Sequence, residues 1–304
     1  MLTDFNSLIA IMLGRLRMST KEALQEYDNC AAEVFSSKNL QLEPTAWFSD
    51  TGLKQVVENL VERRNMGQLM RDPSNPSKGK TMVCVMPAKS WGEPRIVRSW
   101  ANPDDDERWD KNVTIVQAAR ATTAAPIYFE PEILGDEEDQ QPYIDAAVGV
   151  NNPINYLLKE AVIHFGSSAT LGCVMSIGTG TRHVKLQNNP KGLLKGSFCP
   201  LSQSKPLLGL LKNSATSPEK AHRMLQARVS NFPGVYYRFS VTDAAGLVGL
   251  SQYKKISELK QMTATYLSNS DIQRSIQQAA RQLQESSFDY GLTLGHISLS
   301  ALII

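Results

Sequence analysis

Apolar positions along this chain repeat with more than one period. Residues 8–13, Leu-Ile-Ala-Ile-Met-Leu, are apolar almost all round, which marks a helix enclosed by protein. Gly14-Arg15-Leu16-Arg17 is expected to bring the chain back to the surface. Ser19 with Glu22 three residues on forms a capping box, with Met18 and Ala23 placed as a hydrophobic staple. Leu24, Tyr27, Ala31 and Val34 then give the helix that follows one apolar stripe. A third helix is predicted from about Asp50, burying Leu53, Val56, Val57, Leu60 and Val61 and ending at Arg63-Arg64-Asn65. After a breaker-rich loop over 71–80, residues 81–86 and 96–100 read as strands, the first of them buried.

The middle of the chain changes character. Residues 117–125 are a helix of small residues that stops before Pro126, because a proline excludes helical geometry from the residue before it. Arg120 lies on that helix, either orienting a carboxylate or facing solvent. Asp145 follows, set among Ile, Ala and Val; a carboxylate in apolar company is either a turn or cap residue or a catalytic base at a strand end. Asn151-Asn152-Pro153 starts a helix to about His164. Residues 171–177 read as a strand buried on both faces, as in a parallel sheet under helices, and 178–181 as a tight turn rather than a phosphate loop. Residues 187–217 are loop-like, a surface insertion or a lid that touches lipid. Residues 234–241 alternate as a late strand, 249–267 are helical, and Ser270-x-x-Gln273 caps a final helix with Ile272, Ile276, Ala280 and Leu283 on one face.

Three pieces of this middle region are specific in combination. Ala119-Arg120-Ala121-Thr122-Thr123-Ala124-Ala125-Pro126 is followed by Asp145-Ala146-Ala147 with Asn152-Pro153 close behind, and then by the strand and loop Val174-Met175-Ser176-Ile177-Gly178-Thr179-Gly180-Thr181. In this order they resemble the second half of a patatin-like phospholipase domain, which carries Ala-Arg-Ala-Thr-Ser-Ala-Ala-Pro before an Asp-Gly-Gly or Asp-Gly-Ala motif. Ala146 stands where a glycine is usual. The resemblance spans residues 8 to 283. It implies a three-layer α/β/α fold with a mostly parallel central sheet, N-terminal strands missing. It further implies a partial patatin-like domain over 1–285, a C-terminal extension of unknown role over 286–304, and lipid acyl hydrolysis by a serine–aspartate dyad. Only Asp145 of that dyad carries over.

The nucleophile does not. The family places its serine in a GxSxG elbow, where small residues allow the strained turn, and uses a glycine-rich loop as oxyanion hole. No GxSxG occurs in the 304 residues. Where family members read Thr-Ser-Thr-Gly-Gly-Leu-Ile-Ala, this chain reads Thr3-Asp4-Phe5-Asn6-Ser7-Leu8-Ile9-Ala10, so Asp4 takes the nucleophile's place. Ser7 or Asn6 is read as a helix cap. Three explanations compete: a truncated copy of an active hydrolase, a non-catalytic relative that binds lipid or a protein, or an unrecognised nucleophile. Truncation is the expectation adopted, with no esterase activity from these residues alone.

Composition narrows the rest. A formal net charge of +2 gives no dominant face for nucleic acid. Cys30, Cys84, Cys173 and Cys199 are widely spaced, no CxxC pair exists and the four histidines have no metal spacing, so no cofactor or metal is expected and the thiols read as reduced. The adjacent acids of Asp104-Asp105-Asp106-Glu107 cannot easily converge on one ion and read as a solvated loop. No apolar run approaches the ~18 residues of a membrane span, and the start lacks a basic secretory n-region. The expectation is a cytoplasmic protein meeting a lipid or membrane-surface substrate peripherally, with its protein partners open.

Overall fold

The computed structural model describes residues 6–35, 46, 48–49, 51–72, 79–90, 92–101, 109–126, 128–180, 217–241, 255–284 and 292–297. Asp4, the acidic run at 104–108 and residues 181–216 lie outside them. Helix α1 (Asn6–Ala10) runs directly into a π turn (Ile11–Arg15), followed by α2 (Thr20–Val34) and α3 (Thr51–Arg64). Next come β1 (Met82–Pro87), β2 (Arg95–Arg98), α4 (Ile115–Thr123), β3 (Glu132–Leu134), β4 (Gln141–Asp145) and a short 3-10 turn (Ala146–Val148). Helix α5 (Ile154–Phe165), β5 (Val174–Gly178), α6 (Ser217–Arg228), β6 (Tyr236–Ser240), α7 (Ile256–Leu267), α8 (Ser270–Gln284) and α9 (Leu294–Ile297) complete a mixed α/β architecture.

The larger of the two described sheets does not by itself show the expected mostly parallel arrangement. Its order is β2-β1-β4-β3, and all three described pairings are antiparallel. For β1–β2 and β3–β4 the cause is the length of the connections. Residues 88–94 and 135–140 are hairpin loops, whereas a parallel crossover needs about a dozen residues or more. Gly135 opens the second loop with φ +117°, and a Cβ there would lie 2.6 Å from the Asp139 carbonyl oxygen, so only glycine fits. The parallel pairing among the described strands is β5 with β6, Val174 opposite Tyr236 through Gly178 opposite Ser240, joined by a long crossover that contains α6.

Alternation on the strands divides the core. Val83, Val85, Val97, Leu134 and Tyr143 join Leu8, Ile11, Met12, Val57, Leu60 and the alanines of α4 in one large cluster. Cys84, Met86, Ile96 and Ile144 belong to small clusters against Ala146, Val148 and Tyr156. A second core gathers Val174 and Val235 with Ile154, Leu158, Leu225, Leu292, Leu294 and Ile297. Part of the chain beyond 286 is therefore packed protein: Leu292 accepts from the Leu171 N–H at 2.9 Å, and Arg228 donates to the Ile297 carbonyl at 3.1 Å.

The helix ends follow local chemistry. Ser19 and Glu22 form both bonds of the capping box, at 3.2 and 2.7 Å, and Thr114 with Gln117 forms another that opens α4. Asn152 Oδ1 accepts the Ile154 N–H at the start of α5. The cap of α8 is Asn269, whose Oδ1 accepts from Asp271 and Ile272; Ser270 is already helical. On α8 Ala279 is buried, while Ile276, Ala280 and Leu283 of the expected face are exposed.

Three further expectations are corrected by neighbours that pattern alone does not reveal. The chain stays inside at 14–16: Leu16 is buried, and buried Arg15 donates to the carbonyls of Met66, Leu69 and Met70 at 2.8, 2.8 and 3.0 Å. Leu24 falls outside the buried stripe of α2, at 56% exposure, and that stripe runs through Ala23, Cys30, Ala31 and Val34 instead. Strand β5 is not buried on both faces: Met175 and Ile177 are 39% and 75% exposed. Among the described residues no helix is long and apolar enough to cross a membrane.

Candidate active site

The two halves of the motif region meet at Asp145. The backbone N–H of Asp145 donates to the Ala124 carbonyl at 3.0 Å, which ties the end of β4 to the end of α4. Helix α4 is itself pinned to β1 by Thr122, whose hydroxyl donates to the Cys84 carbonyl at 2.8 Å. Its run of alanines and threonines is buried, and those small side chains let the helix lie close to the sheet. The result is a carboxylate on a rigid frame. Asp145 is 4% exposed, and its Oδ1 accepts the Ala147 N–H at 2.8 Å as the strand turns into the 3-10 segment.

A cavity of about 230 Å³ opens beside it. Its walls come from the start of α1 (Asn6, Ser7), the first half of β1 (Met82, Val83, Cys84), the turn around Asn151 and Asn152, and the strand pair through Met175, Ser176, Ile177 and Arg238. The first half of β1 pairs only with β2 among the described strands, since β4 joins from Val85 onward. Two strand edges therefore border the cavity. Ser7 lies within the first turn of α1 and contributes to the wall. A larger, apolar groove of about 650 Å³ shares Asn6 and Ile177 with this cavity and continues over Leu13, Leu24, Tyr27, Phe239 and Leu259.

The titratable groups near the cavity have distinct states. Burial pushes the Cys84 thiol up to about 12, helped by the carboxylates of Glu160 and Asp145, so it is a protonated thiol and not a nucleophile at neutral pH. Arg120 does orient a carboxylate: it pairs with Glu132 at 2.9 Å. On the far face of the sheet, Arg98 grips Glu160 through two bonds of 2.6 and 2.7 Å, fixing α5 against β2. No group of three or more His, Cys, Asp or Glu able to hold a metal occurs among the described residues.

Of the residues singled out in the sequence, the structure brings Asp145, Asn152, Ser7 and the edge of β5 to one cavity. Gly178 and Thr179 line the groove instead. Ser176 belongs to the third motif piece, but Arg238 was not singled out. The available signal was a charged residue in the interior of the alternating run Tyr236-Tyr237-Arg238-Phe239-Ser240.

Comparison with known proteins agrees with the motif reading. The family model for patatin-like phospholipase matches residues 6–158. Calcium-independent phospholipase A2-gamma of Oryctolagus cuniculus is 24% identical over 277 residues, covering 87% of this chain and 33% of the relative. The Homo sapiens protein of the same name is 26% identical over 251 residues, covering 77% of this chain and 29% of that one. The chain thus spans about a third of the length of the curated relatives it matches. With the family model covering half of its length, and matching the segment that carries α4, β4 and Asp145, the chain belongs to the patatin-like phospholipase family.

Proposed function

We propose that this chain carries the base side of a lipid-ester hydrolase site, with Asp145 as the residue that takes the proton from a serine nucleophile. The observation that carries the reading is the position of Asp145. It is buried at a strand end, oriented by the Ala147 N–H, and lines a cavity that shares Asn6 and Ile177 with an apolar groove. Acyl transfer needs a nucleophilic oxygen, a base within reach of its proton, and N–H donors for the oxyanion. Asp145 fits the second role. The groove suits the acyl chains of a phospholipid or acylglycerol, the substrate class to which the relatives' name points. A three-layer fold with a larger, mostly parallel sheet belongs to the same proposal, the β5–β6 pair being its parallel part.

These 304 residues hold no GxSxG, so they are expected to hydrolyse no ester by themselves. The test is a p-nitrophenyl ester and a fluorescent phospholipid offered to the purified chain, beside a fluorophosphonate probe. Background turnover and no labelling are expected. Turnover that disappears in Ser7→Ala or Asp145→Ala would overturn the inactivity and place the nucleophile within the chain.

A second reading, a non-catalytic lipid-binding module, is favoured by the size and apolar lining of the groove. It predicts vesicle binding that Leu24→Asp weakens and Asp145→Asn leaves unchanged.

A further inference from the structure

Four buried or half-buried arginines in this protein face carboxylates. Arg15 lies 4.0 Å from Asp72, Arg71 pairs with Asp110, Arg98 with Glu160 and Arg120 with Glu132. A guanidinium withdrawn from water needs such a partner, because an uncompensated buried charge is costly. Half-buried Arg238 departs from the pattern, and so do Arg17 and Arg228, but those two donate to the backbone carbonyls of Gly79 and Ile297. Among the described residues Arg238 has no carboxylate within ion-pair distance. Its hydrogen bond runs from Nη1 to the Ser176 hydroxyl at 2.9 Å, and its Nε is buried without a hydrogen-bond partner.

The position is nonetheless built. Register places Arg238 directly opposite Ser176 on the parallel neighbour. Two residues along β5, the chain has Gly178, and a Cβ there would stand 2.5 Å from Nη2 of Arg238. The guanidinium thus occupies the space a side chain would take, lying along β5 and lining the cavity that also holds Asp145. A fork of N–H donors with charge to spare suits a tetrahedral oxyanion. The apolar groove that shares Asn6 and Ile177 with this cavity favours an anion attached to acyl chains.

We propose that Arg238 is a specificity-determining residue that binds the phosphate of a phospholipid while the scissile ester lies toward Asp145. This rests on the lipid-ester reading above. It predicts a preference for phospholipid over neutral acylglycerol, set by β6 rather than by the motif residues.

The test measures binding to the full chain by calorimetry, with monomeric dihexanoylphosphatidylcholine, dihexanoylglycerol and inorganic phosphate as probes. The wild type is expected to bind the phospholipid about tenfold or more tightly than the diacylglycerol, the worth of a charge-assisted contact. Arg238→Gln should abolish that preference and leave diacylglycerol binding unchanged. Gly178→Ala, which keeps every charge but displaces the guanidinium, should do the same and serves if the glutamine variant does not fold. Inorganic phosphate should bind more weakly than phospholipid; phosphate binding as tightly would make free phosphate the ligand and overturn the headgroup assignment. A preference retained in both variants overturns the role of Arg238, as does a wild type that binds both lipids equally; either leaves the lipid-ester reading standing. A wild type that binds neither lipid overturns both.

Discussion

Strands β1 and β5 are written in the same alphabet, Met-Val-Cys-Val-Met-Pro and Val-Met-Ser-Ile-Gly, yet they have different fates. Strand β1 has β2 on one side and β4 on the other, with α4 pinned across it, and every residue after Met82 is buried. Strand β5 has one described neighbour, β6, and every second residue faces outward. The difference teaches that an apolar run states what a strand tolerates, while the number of its neighbours decides what it buries. The site lies where the two regimes meet, between the half-paired start of β1 and the open edge of β5.

The comparison can be broken most severely by unlocking the well-packed half. Arg98→Ala leaves Glu160 buried without its bidentate partner and is expected to cost about 3–5 kcal/mol in denaturant unfolding. A loss well under that would mean the β1–β2 side is as loosely held as β5. Met86→Ala, at a β1 position only 1% exposed, should cost about 2–5 kcal/mol.

Thiol chemistry sharpens the contrast. Cys84 in β1 and Cys30 in α2 are each pushed up to about 12 by burial, against an ordinary value of 9.0, whereas Cys173, just ahead of β5, is half-exposed. With Cys199 replaced by serine, iodoacetamide at pH 8 should modify Cys173 in the native state and reach Cys30 and Cys84 only on unfolding. The sign for stability follows. Protons kept by the fold and released by the unfolded chain stabilise the fold fully below pH 9, and this contribution is lost as pH rises toward about 12. Alkaline unfolding in that window is the expected outcome, and an unchanged stability from pH 9 to 11 would contradict it. The smallest effect belongs to β5: Ile177→Ala, at 75% exposure, should change stability by no more than about 0.5 kcal/mol. A large loss there would erase the distinction between the strands.

What the sequence disclosed depended on how local the cause was. The capping box at Ser19, the end of α4 before Pro126 and the buried β1 follow from neighbouring residues, and all are present. Arg15 was expected at the surface because charge usually goes there; three carbonyls more than fifty residues away hold it inside. Ser270 read as a cap because its partner spacing fits, but Asn269, one residue earlier, accepts two N–H groups. Antiparallel pairing was hidden because hairpin loops of six or seven residues carry no turn signature as plain as Asn-Gly. In the candidate site, the apolar neighbours of Asp145 left a cap and a base both open, and the family motif was what drew attention to it. Arg238 was not legible, since its significance comes from the room left by Gly178 on another strand.

The most direct test of the central claim, that Asp145 is a catalytic base, supplies what the dyad needs. An oxyanion loop and GxSxG elbow from an active patatin-like relative are grafted ahead of α1, with residues 3–7 changed to Thr-Ser-Thr-Gly-Gly, and turnover of a phospholipid ester is measured with and without Asp145→Asn. The account predicts turnover in the graft and a loss of about a hundredfold to ten-thousandfold in the asparagine variant, since a neutral amide cannot take the serine proton. A folded graft whose rate is indifferent to Asp145→Asn would contradict it.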